Sequence, residues 1–315
     1  MPLTEHIKNK VHSAAYFDDQ RDHWWNRDFL ELMGQRLRFD NVHKMLDVGC
    51  GMGHWGRALA QALPLDAQVI GIDREPIWIE EARARTRAAG CEDRFVFKVG
   101  RAEDLAFDDN SFDLVTCQTV LIYMRDPKAV IAEMVRVTRP DGLVLVVEPN
   151  NLSQNLVFSN KDFAKFVATA ESIDEILQSI RFELIIERGR QARGHGFNSV
   201  GDLIPGYFSE LGLNHIQTYL SDKSFALYPP NATRLQRALV KHYVDCSERK
   251  NVICDRESSR IYFLDGGGKE EEFDRLWDQS LRKLGEFADD LNQNAIHFGA
   301  GTILYLVSAR KPAHW

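Results

Sequence analysis

The sequence has few cysteines, and none is placed as a zinc or disulfide motif requires. Its 315 residues contain five cysteines, an odd and widely spaced set without a CxxC pair. A dense disulfide framework is therefore excluded, and neither the cysteines nor the histidines show metal-ligand spacing. We expect reduced thiols in a cytoplasmic protein that binds no metal.

A long apolar run and an excess of positive charge are also missing. No stretch approaches the ~20 consecutive apolar residues that cross a bilayer, and the opening residues MPLTEHIKNKVHS include no apolar signal-peptide segment. The formal net charge of −7 disfavours extended binding to nucleic-acid phosphates. The expected partner is thus a small molecule, and the sequence leaves open whether the chain forms a homodimer.

The sequence does contain a glycine-rich turn between a strand and a helix. Residues 44–56 read KMLDVGCGMGHWG, in which a short apolar run precedes alternating glycines. Such a turn lets a ligand come close to backbone N–H groups. Gly51-x-Gly53-x-x-Gly56 also satisfies the dinucleotide-binding fingerprint. Asp47, at the end of the strand, would repel a pyrophosphate and suits a cationic ligand that carries an amino group.

Strands and helices alternate five times up to residue 150. The second strand, QVIGID, ends at Asp73, where a carboxylate can accept hydrogen bonds from both ribose hydroxyls. Further strands are predicted at residues 214–220 and 302–307, and residues 189–201 form a glycine- and arginine-rich loop. This order predicts an α/β fold with a doubly wound, mostly parallel, seven-stranded sheet that binds ligands beyond the carboxyl ends of its strands.

Five segments occur in order and at suitable spacing before residue 150: DVGCGMG, IGID, GRAEDLAF, FDLV and RPDGLVLVVEP. Together they resemble the class I S-adenosylmethionine-dependent methyltransferases, especially the small-molecule branch that includes the ubiquinone and menaquinone biosynthesis C-methyltransferases. The resemblance covers residues 42–150 and implies a Rossmann-like methyltransferase fold. It also implies S-adenosyl-L-methionine as the methyl donor and S-adenosyl-L-homocysteine as the product.

The resemblance implies cofactor contacts at the carboxyl ends of the first four strands, by Asp47, Gly49, Cys50, Gly51, Gly53, Asp73, Arg74, Arg101, Ala102, Glu103 and Gln118. Asp47 would hold the methionyl amino group, and the glycine loop would pass beneath the cofactor. Asp73 would bind the ribose, with Arg74 along the adenine edge. Residues 101–103 would meet the adenine, and Gln118 would line the methionyl side.

Two departures from the family pattern limit what the resemblance implies. Family members often have Asp or Asn where Arg101 stands, so the adenine contact expected there is through the backbone. The fourth strand is followed by Thr119-Val120-Leu121 and lacks the Asn/Asp-Pro-Pro-aromatic motif of adenine, cytosine-N4 and glutamine N-methyltransferases. The departure argues against those substrates.

The chain outside the five-strand region is expected to cover the acceptor. We predict an N-terminal helical cap over residues 1–40, an S-adenosylmethionine-binding core over 41–150, and completion of the sheet with helical lid insertions over 151–315. The sheet needs only two strands after residue 150, which leaves the rest free to form a lid. Tyr16 in the cap is expected to close over the ligand, with packing on the core as the alternative.

Three functions remain open on the sequence. A small-molecule methyltransferase is the main interpretation. An NAD(P)-dependent oxidoreductase explains the glycines but gives Asp47 no role, and a non-catalytic S-adenosylmethionine-binding protein would use the same fold. The candidate general bases are His195, Glu148 and Tyr123, although each has a purely structural alternative.

Overall fold

The computed structural model describes residue 21 and residues 24–153, 170–222, 224–250, 254–295, 298–301 and 303–315. These residues fall into two compact units. The first, here called the core unit, comprises Trp24–Asn150, Ser199–Asp222 and Ile303–Trp315. The second, the helical unit, comprises the described residues among Met1–His23, Asn151–Asn198 and Lys223–Thr302.

The described strands, in chain order, are β1 (Lys44–Val48), β2 (Gln68–Asp73), β3 (Phe95–Val99), β4 (Phe112–Gln118), β5 (Thr138–Pro149), β6 (Asn214–Leu220), β7 (Ser224–Leu227), β8 (Phe298–Gly301) and β9 (Leu304–Arg310). The core unit holds a seven-stranded sheet in the order β3-β2-β1-β4-β5-β9-β6. Strands β1 to β5 pair in parallel, and β9 is antiparallel to both β5 and β6. The predicted doubly wound, mostly parallel sheet is therefore confirmed.

The labelled helices are α1 (Arg27–Leu37), α2 (His54–Leu59), α3 (Pro76–Ala88), α4 (Pro127–Val137), α5 (Ala170–Ala192), α6 (Ile204–Glu210), α7 (Arg234–Glu248), α8 (Arg256–Asp265) and α9 (Glu270–Asn292). Helix α4 shows why these segments begin where they do. The Asp126 side chain accepts a hydrogen bond from the Ala129 N–H, and Pro127 occupies the first turn. Both features favour a helix start at this point.

The central strands of the sheet are apolar because both of their faces are covered. Leu46, Val115 and Val144 lie side by side on β1, β4 and β5, and all are fully buried. Near-continuous apolar runs of this kind are typical of parallel strands buried on both faces. The same runs made the strands recognisable in the sequence.

The helical unit has its own apolar clusters. Aromatic side chains from α5, α8 and α9 form one of them: Phe182, Phe263, Phe273 and Trp277. The two-stranded sheet β7-β8 also belongs to this unit. The cluster shows that α5, α8 and α9 are held together by burial of their aromatic faces.

Two local predictions differ from the structure. The loop predicted from Gly189 onward begins later, because α5 continues to Ala192. A Cβ at Gly189 would lie 1.8 Å from the Tyr262 carbonyl oxygen, so this glycine permits close packing of α8 on α5 and is not a loop signal. The last strand is Leu304–Arg310 and extends past the predicted end at residue 307; residue 302 lies outside the described residues.

A buried lysine ties the amino ends of β4 and β5 to the end of β9. Lys311 is 5% exposed, and its Nζ donates to Asn110 Oδ1 at 2.8 Å, to the Arg136 carbonyl at 3.1 Å and to the Thr138 carbonyl at 2.9 Å. Burial lowers the pKa of this ammonium. The three hydrogen bonds use all three donors of the lysine side chain.

We predict that Lys311→Met lowers the free energy of unfolding by about 2–4 kcal/mol, because the oxygens it serves lose their donors. Lys128→Met is the control, since Lys128 forms an exposed pair with Glu210 and should change stability by less than about 1 kcal/mol. Urea unfolding of both variants measures the difference. Equal stabilities would contradict the structural role of Lys311.

Candidate functional site

The glycine loop after β1 has a backbone that side chains would obstruct. Gly49, Gly51 and Gly53 have φ values of 66°, 50° and 75°, in the left-handed region that favours glycine. At Gly49 there is a second constraint, because a Cβ would lie 2.5 Å from Val120 Cγ2. The loop can therefore approach the segment after β4 only with glycine at this position.

The glycine loop is also fixed to β2. The Cys50 N–H donates to the Ile72 carbonyl at 2.8 Å, and the Gly51 N–H donates to Asp73 Oδ2 at 2.9 Å. Asp73 Oδ1 accepts from the Glu75 N–H at 3.0 Å. Asp73 is the last residue of β2 and is only 4% exposed.

Among the described residues Asp73 forms no ion pair, so its charge is not neutralised by a lysine or arginine.

Asp47 lies beneath the same loop. It is 1% exposed, and its Oδ2 accepts from the Gly56 N–H at 3.0 Å. A Cβ at Gly56 would lie 3.0 Å from this oxygen. Gly56, the third glycine of the fingerprint, therefore leaves room for the Asp47 carboxylate. Its backbone N–H, at the start of α2, already donates to that carboxylate.

The two carboxylates make the loop electrically negative. Burial raises the pKa of the Cys50 thiol well above its usual value, and the charges of Asp47 and Asp73 raise it further. Burial also raises the pKa of the Cys117 thiol, with Glu148 and Asp47 adding to the effect. Both thiols therefore stay protonated near neutral pH, and the local field favours a cationic ligand.

The loop after β3 continues this edge of the sheet. The Gly100 N–H donates to the Asp73 carbonyl at 3.0 Å, and Ala102 is buried. Arg101 and Glu103 form an exposed pair at 3.3 Å. Arg74, after β2, is also exposed. The segment thus has one buried small residue, Ala102, with exposed charged side chains on its solvent side.

The ends of β4 and β5 are joined by a buried glutamate. Glu148 Oε1 accepts from the Val120 N–H and from the Leu121 N–H, both at 2.8 Å, and the residue is fully buried. It therefore holds the segment that follows Gln118, itself buried at the end of β4. Tyr123 lies in the next turn and is 43% exposed.

The remaining predicted site residues are not among the described residues of the core unit. His195 is in the helical unit, where its Nδ1 lies 2.9 Å from the Tyr262 hydroxyl. Tyr16 lies outside the described residues. The catalytic roles of His195, Glu148 and Tyr123 and the role of Tyr16 stay predictions.

Two residues of the site, Val120 and Leu121, are not found by sequence reasoning. Each contributes a backbone N–H to Glu148, and a backbone donor leaves no side-chain signature. In the sequence, Gly56 stands out only as the third glycine of the dinucleotide-binding fingerprint. In the structure its N–H donates to the Asp47 carboxylate, and its missing side chain leaves room for that carboxylate.

The described residues contain no group of three or more His, Cys, Asp or Glu side chains arranged to hold a metal ion. Nor do they include a helix of the length and apolar character needed to cross a membrane.

The sheet order, the antiparallel β9 and the acid-flanked glycine loop together define a Rossmann-like methyltransferase fold. Residues 40–190 match the family model described as "Methyltransferase domain". The resemblance to class I methyltransferases that was inferred from the sequence is therefore confirmed.

Relatives of this chain include methyltransferase GfsG of Streptomyces halstedii, 36% identical over 118 residues, which are 38% of this chain and 42% of that protein. Demethylmenaquinone methyltransferase of Geobacillus stearothermophilus is 33% identical over 124 residues, 39% of this chain and 51% of that protein. The chain thus spans about half of these relatives or less. The structure of phosphoethanolamine N-methyltransferase 2 of Haemonchus contortus shares the fold, with a TM-score of 0.50, 16% identity, and coverage of 99% of this chain and 62% of that one.

We predict that Glu148→Ala lowers the free energy of unfolding by about 2–4 kcal/mol, because the Val120 and Leu121 N–H groups lose their buried acceptor. Glu148→Gln retains an oxygen acceptor and should cost roughly half as much. Urea unfolding measures both, with Glu210→Ala as a control on an exposed carboxylate. A Glu148→Ala protein as stable as the parent would show that the segment after β4 does not depend on this side chain.

Proposed function

We propose that the protein transfers a methyl group from S-adenosyl-L-methionine to a small-molecule acceptor and releases S-adenosyl-L-homocysteine. The observation that carries the proposal is the pair of buried carboxylates, Asp47 and Asp73, placed at the carboxyl ends of β1 and β2 and both hydrogen bonded near the glycine loop. S-adenosyl-L-methionine carries a sulfonium and an ammonium group, and such a field favours both.

Each residue of the site has a role in this proposal. Asp47 lies where it would attract the methionyl ammonium group, and Gln118 would line the same side. Asp73 retains acceptor capacity on both oxygens, since each carboxylate oxygen can take more than one donor, and would accept from the ribose hydroxyls. Ala102 offers a small buried surface to the adenine, with Arg74 and Arg101 at its solvent side.

In this proposal the site promotes methyl transfer mainly by aligning the acceptor with the methyl group. A sulfonium is already activated, so holding the acceptor in line with the methyl group supplies much of the acceleration. An acceptor that must lose a proton would also need a base, for which His195 and Tyr123 are the candidates with exposed side chains. Glu148 is less suited, because its Oε1 already serves two backbone donors.

The N-terminal residues 1–40 and the helical insertions within residues 151–315 are the proposed lid over the acceptor, as the sequence predicts. The five cysteines, which form no disulfide in the described part of the chain, support a reducing compartment such as the cytoplasm. The likeness to demethylmenaquinone methyltransferase supports quinol or phenol acceptors as the first class to test.

We predict that Asp73→Asn weakens binding of S-adenosyl-L-methionine and of S-adenosyl-L-homocysteine by about 10- to 100-fold, the scale of a charge-assisted hydrogen bond. Calorimetric titration below the unfolding temperature measures both affinities. Asp66→Asn is the matched control, since Asp66 is exposed before β2 and should leave them unchanged. Binding of NADH, with neither methyl-cycle ligand bound, would support the oxidoreductase alternative and sink the proposal.

A further prediction separates catalysis from binding. Incubation with methyl-labelled cofactor and panels of phenol, quinol and amine acceptors should label one class and release S-adenosyl-L-homocysteine. For a phenol acceptor, removal of the base by His195→Ala or Tyr123→Phe should reduce turnover by ~10²–10⁴-fold and change its pH profile. If both variants retain the parental turnover and profile, neither residue is the base. Tight cofactor binding without transfer across all panels would favour the non-catalytic alternative.

A further inference from the structure

A cleft lies in the core unit, at the opposite end of the sheet's strands from the glycine loop. It forms where the amino ends of β5 and β6 meet the carboxyl end of β9, since Arg310 pairs with both Leu143 and Asn214. The cleft has a volume of about 370 Å³ and is lined by Arg38, Asn41, Arg139, Asp141, His215 and Arg310. Three arginines and one aspartate thus line the same cleft.

Arg310 is held in place without losing its charge. Its guanidinium donates to the Asp141 carbonyl at 2.9 Å and to the Leu37 carbonyl at 2.7 Å. Both acceptors are neutral backbone groups. A guanidinium has five N–H donors, so three remain without an acceptor among the described residues. Arg310 is therefore oriented in advance and still able to bind an anion.

The other two arginines are already ion-paired, Arg38 at the surface and Arg139 with the largely buried side chain of Asp113. Arg38 lies 3.1 Å from Asp40, with both side chains more than 60% exposed, and such pairs contribute little. Arg139 lies 3.0 Å from Asp113. Asp113 also accepts from the N–H groups of His43 and Lys44, so it keeps partners if Arg139 turns to a ligand.

The backbone around the cleft is unusual at three places. Arg38, Asp141 and His215 have φ values of 62°, 59° and 54°, although none is glycine. Residues with side chains adopt this conformation at a local cost. Its occurrence at three lining residues, drawn from three separate segments, indicates that the surrounding structure fixes the cleft's shape.

We propose that this cleft binds the phosphate group of a small phosphorylated molecule. Guanidinium groups match the geometry of phosphate and bind it with paired N–H donors. The volume falls within the range of small-molecule sites, and the chain's net charge of −7 disfavours a nucleic-acid backbone as the source of the phosphate. Asp141 also lines the cleft, so we expect the ligand to carry a hydroxyl or ammonium donor as well.

The test is calorimetric titration of the full chain with inorganic phosphate and with pyrophosphate at constant ionic strength. Calorimetry is preferred to melting temperature, because phosphate stabilises proteins generally. We expect saturable 1:1 binding, weakened about tenfold in Arg38→Gln and in Arg139→Gln. Arg87→Gln, which alters an exposed arginine on α3, should bind like the parent. Both test variants leave the backbone contacts of Arg310 intact, so they should fold normally.

Two results would overturn the proposal. The first is that neither phosphate nor pyrophosphate binds saturably. The second is that the parent, the two test variants and the control all bind them with equal affinity. Loss of phosphate binding when S-adenosyl-L-homocysteine saturates the protein would instead place the anion at the glycine loop. A short single-stranded oligonucleotide that binds more tightly than pyrophosphate, and is weakened by the same two substitutions, would replace the small molecule with nucleic acid.

Discussion

The hydrogen bond from the Gly51 N–H to the Asp73 carboxylate joins the glycine loop after β1 to the end of β2, and the rest of the proposed cofactor site depends on it. The Cys50 N–H extends this connection to the Ile72 carbonyl. Close contact is possible because Gly71 has no side chain: a Cβ there would lie 2.7 Å from Phe97 and 2.9 Å from the Cys50 sulfur. The loop's position is thus set by β2 and β3 as much as by its own glycines.

Three buried carboxylates stand at the same edge of the sheet and do not serve the same purpose. Asp47 and Asp73 flank the glycine loop, whereas Glu148 fixes the segment after β4 through two backbone donors. In the sequence, all three appear in the same way, as an acidic residue at or near the end of a predicted strand. The contacts differ in how they use the carboxylate: Asp73 accepts one backbone N–H on each oxygen, whereas Glu148 accepts both on Oε1.

The sequence predicted most of the core-unit sheet, because its central strands are apolar on both faces and each parallel strand ends in a recognisable turn. It also placed Asp73 and Gln118 at the ends of their strands, where the structure has them. It did not predict β7 and β8, four-residue strands far apart in the chain, since pairing between short distant segments leaves no local pattern. Nor did it predict that Gly189 lies inside α5, where the reason is the nearby Tyr262 carbonyl.

Counting the hydrogen-bond donors and acceptors of each buried charged group helps to separate structural roles from proposed ligand sites at the two ends of the strands. Lys311 has three N–H donors, and three protein oxygens accept all of them. Its ammonium group therefore has a structural role. Arg310 next to it uses two of five, and Asp73 accepts two backbone N–H bonds with capacity left on each oxygen. A charged group held by neutral backbone partners keeps its charge and its direction, whereas an ion pair loses much of its field. Preorganised but unneutralised charges therefore occur at both edges, negative beside the glycine loop and positive beside β9. The sign at each edge agrees with the ligand that we propose for it: a sulfonium and ammonium at the first, a phosphate at the second.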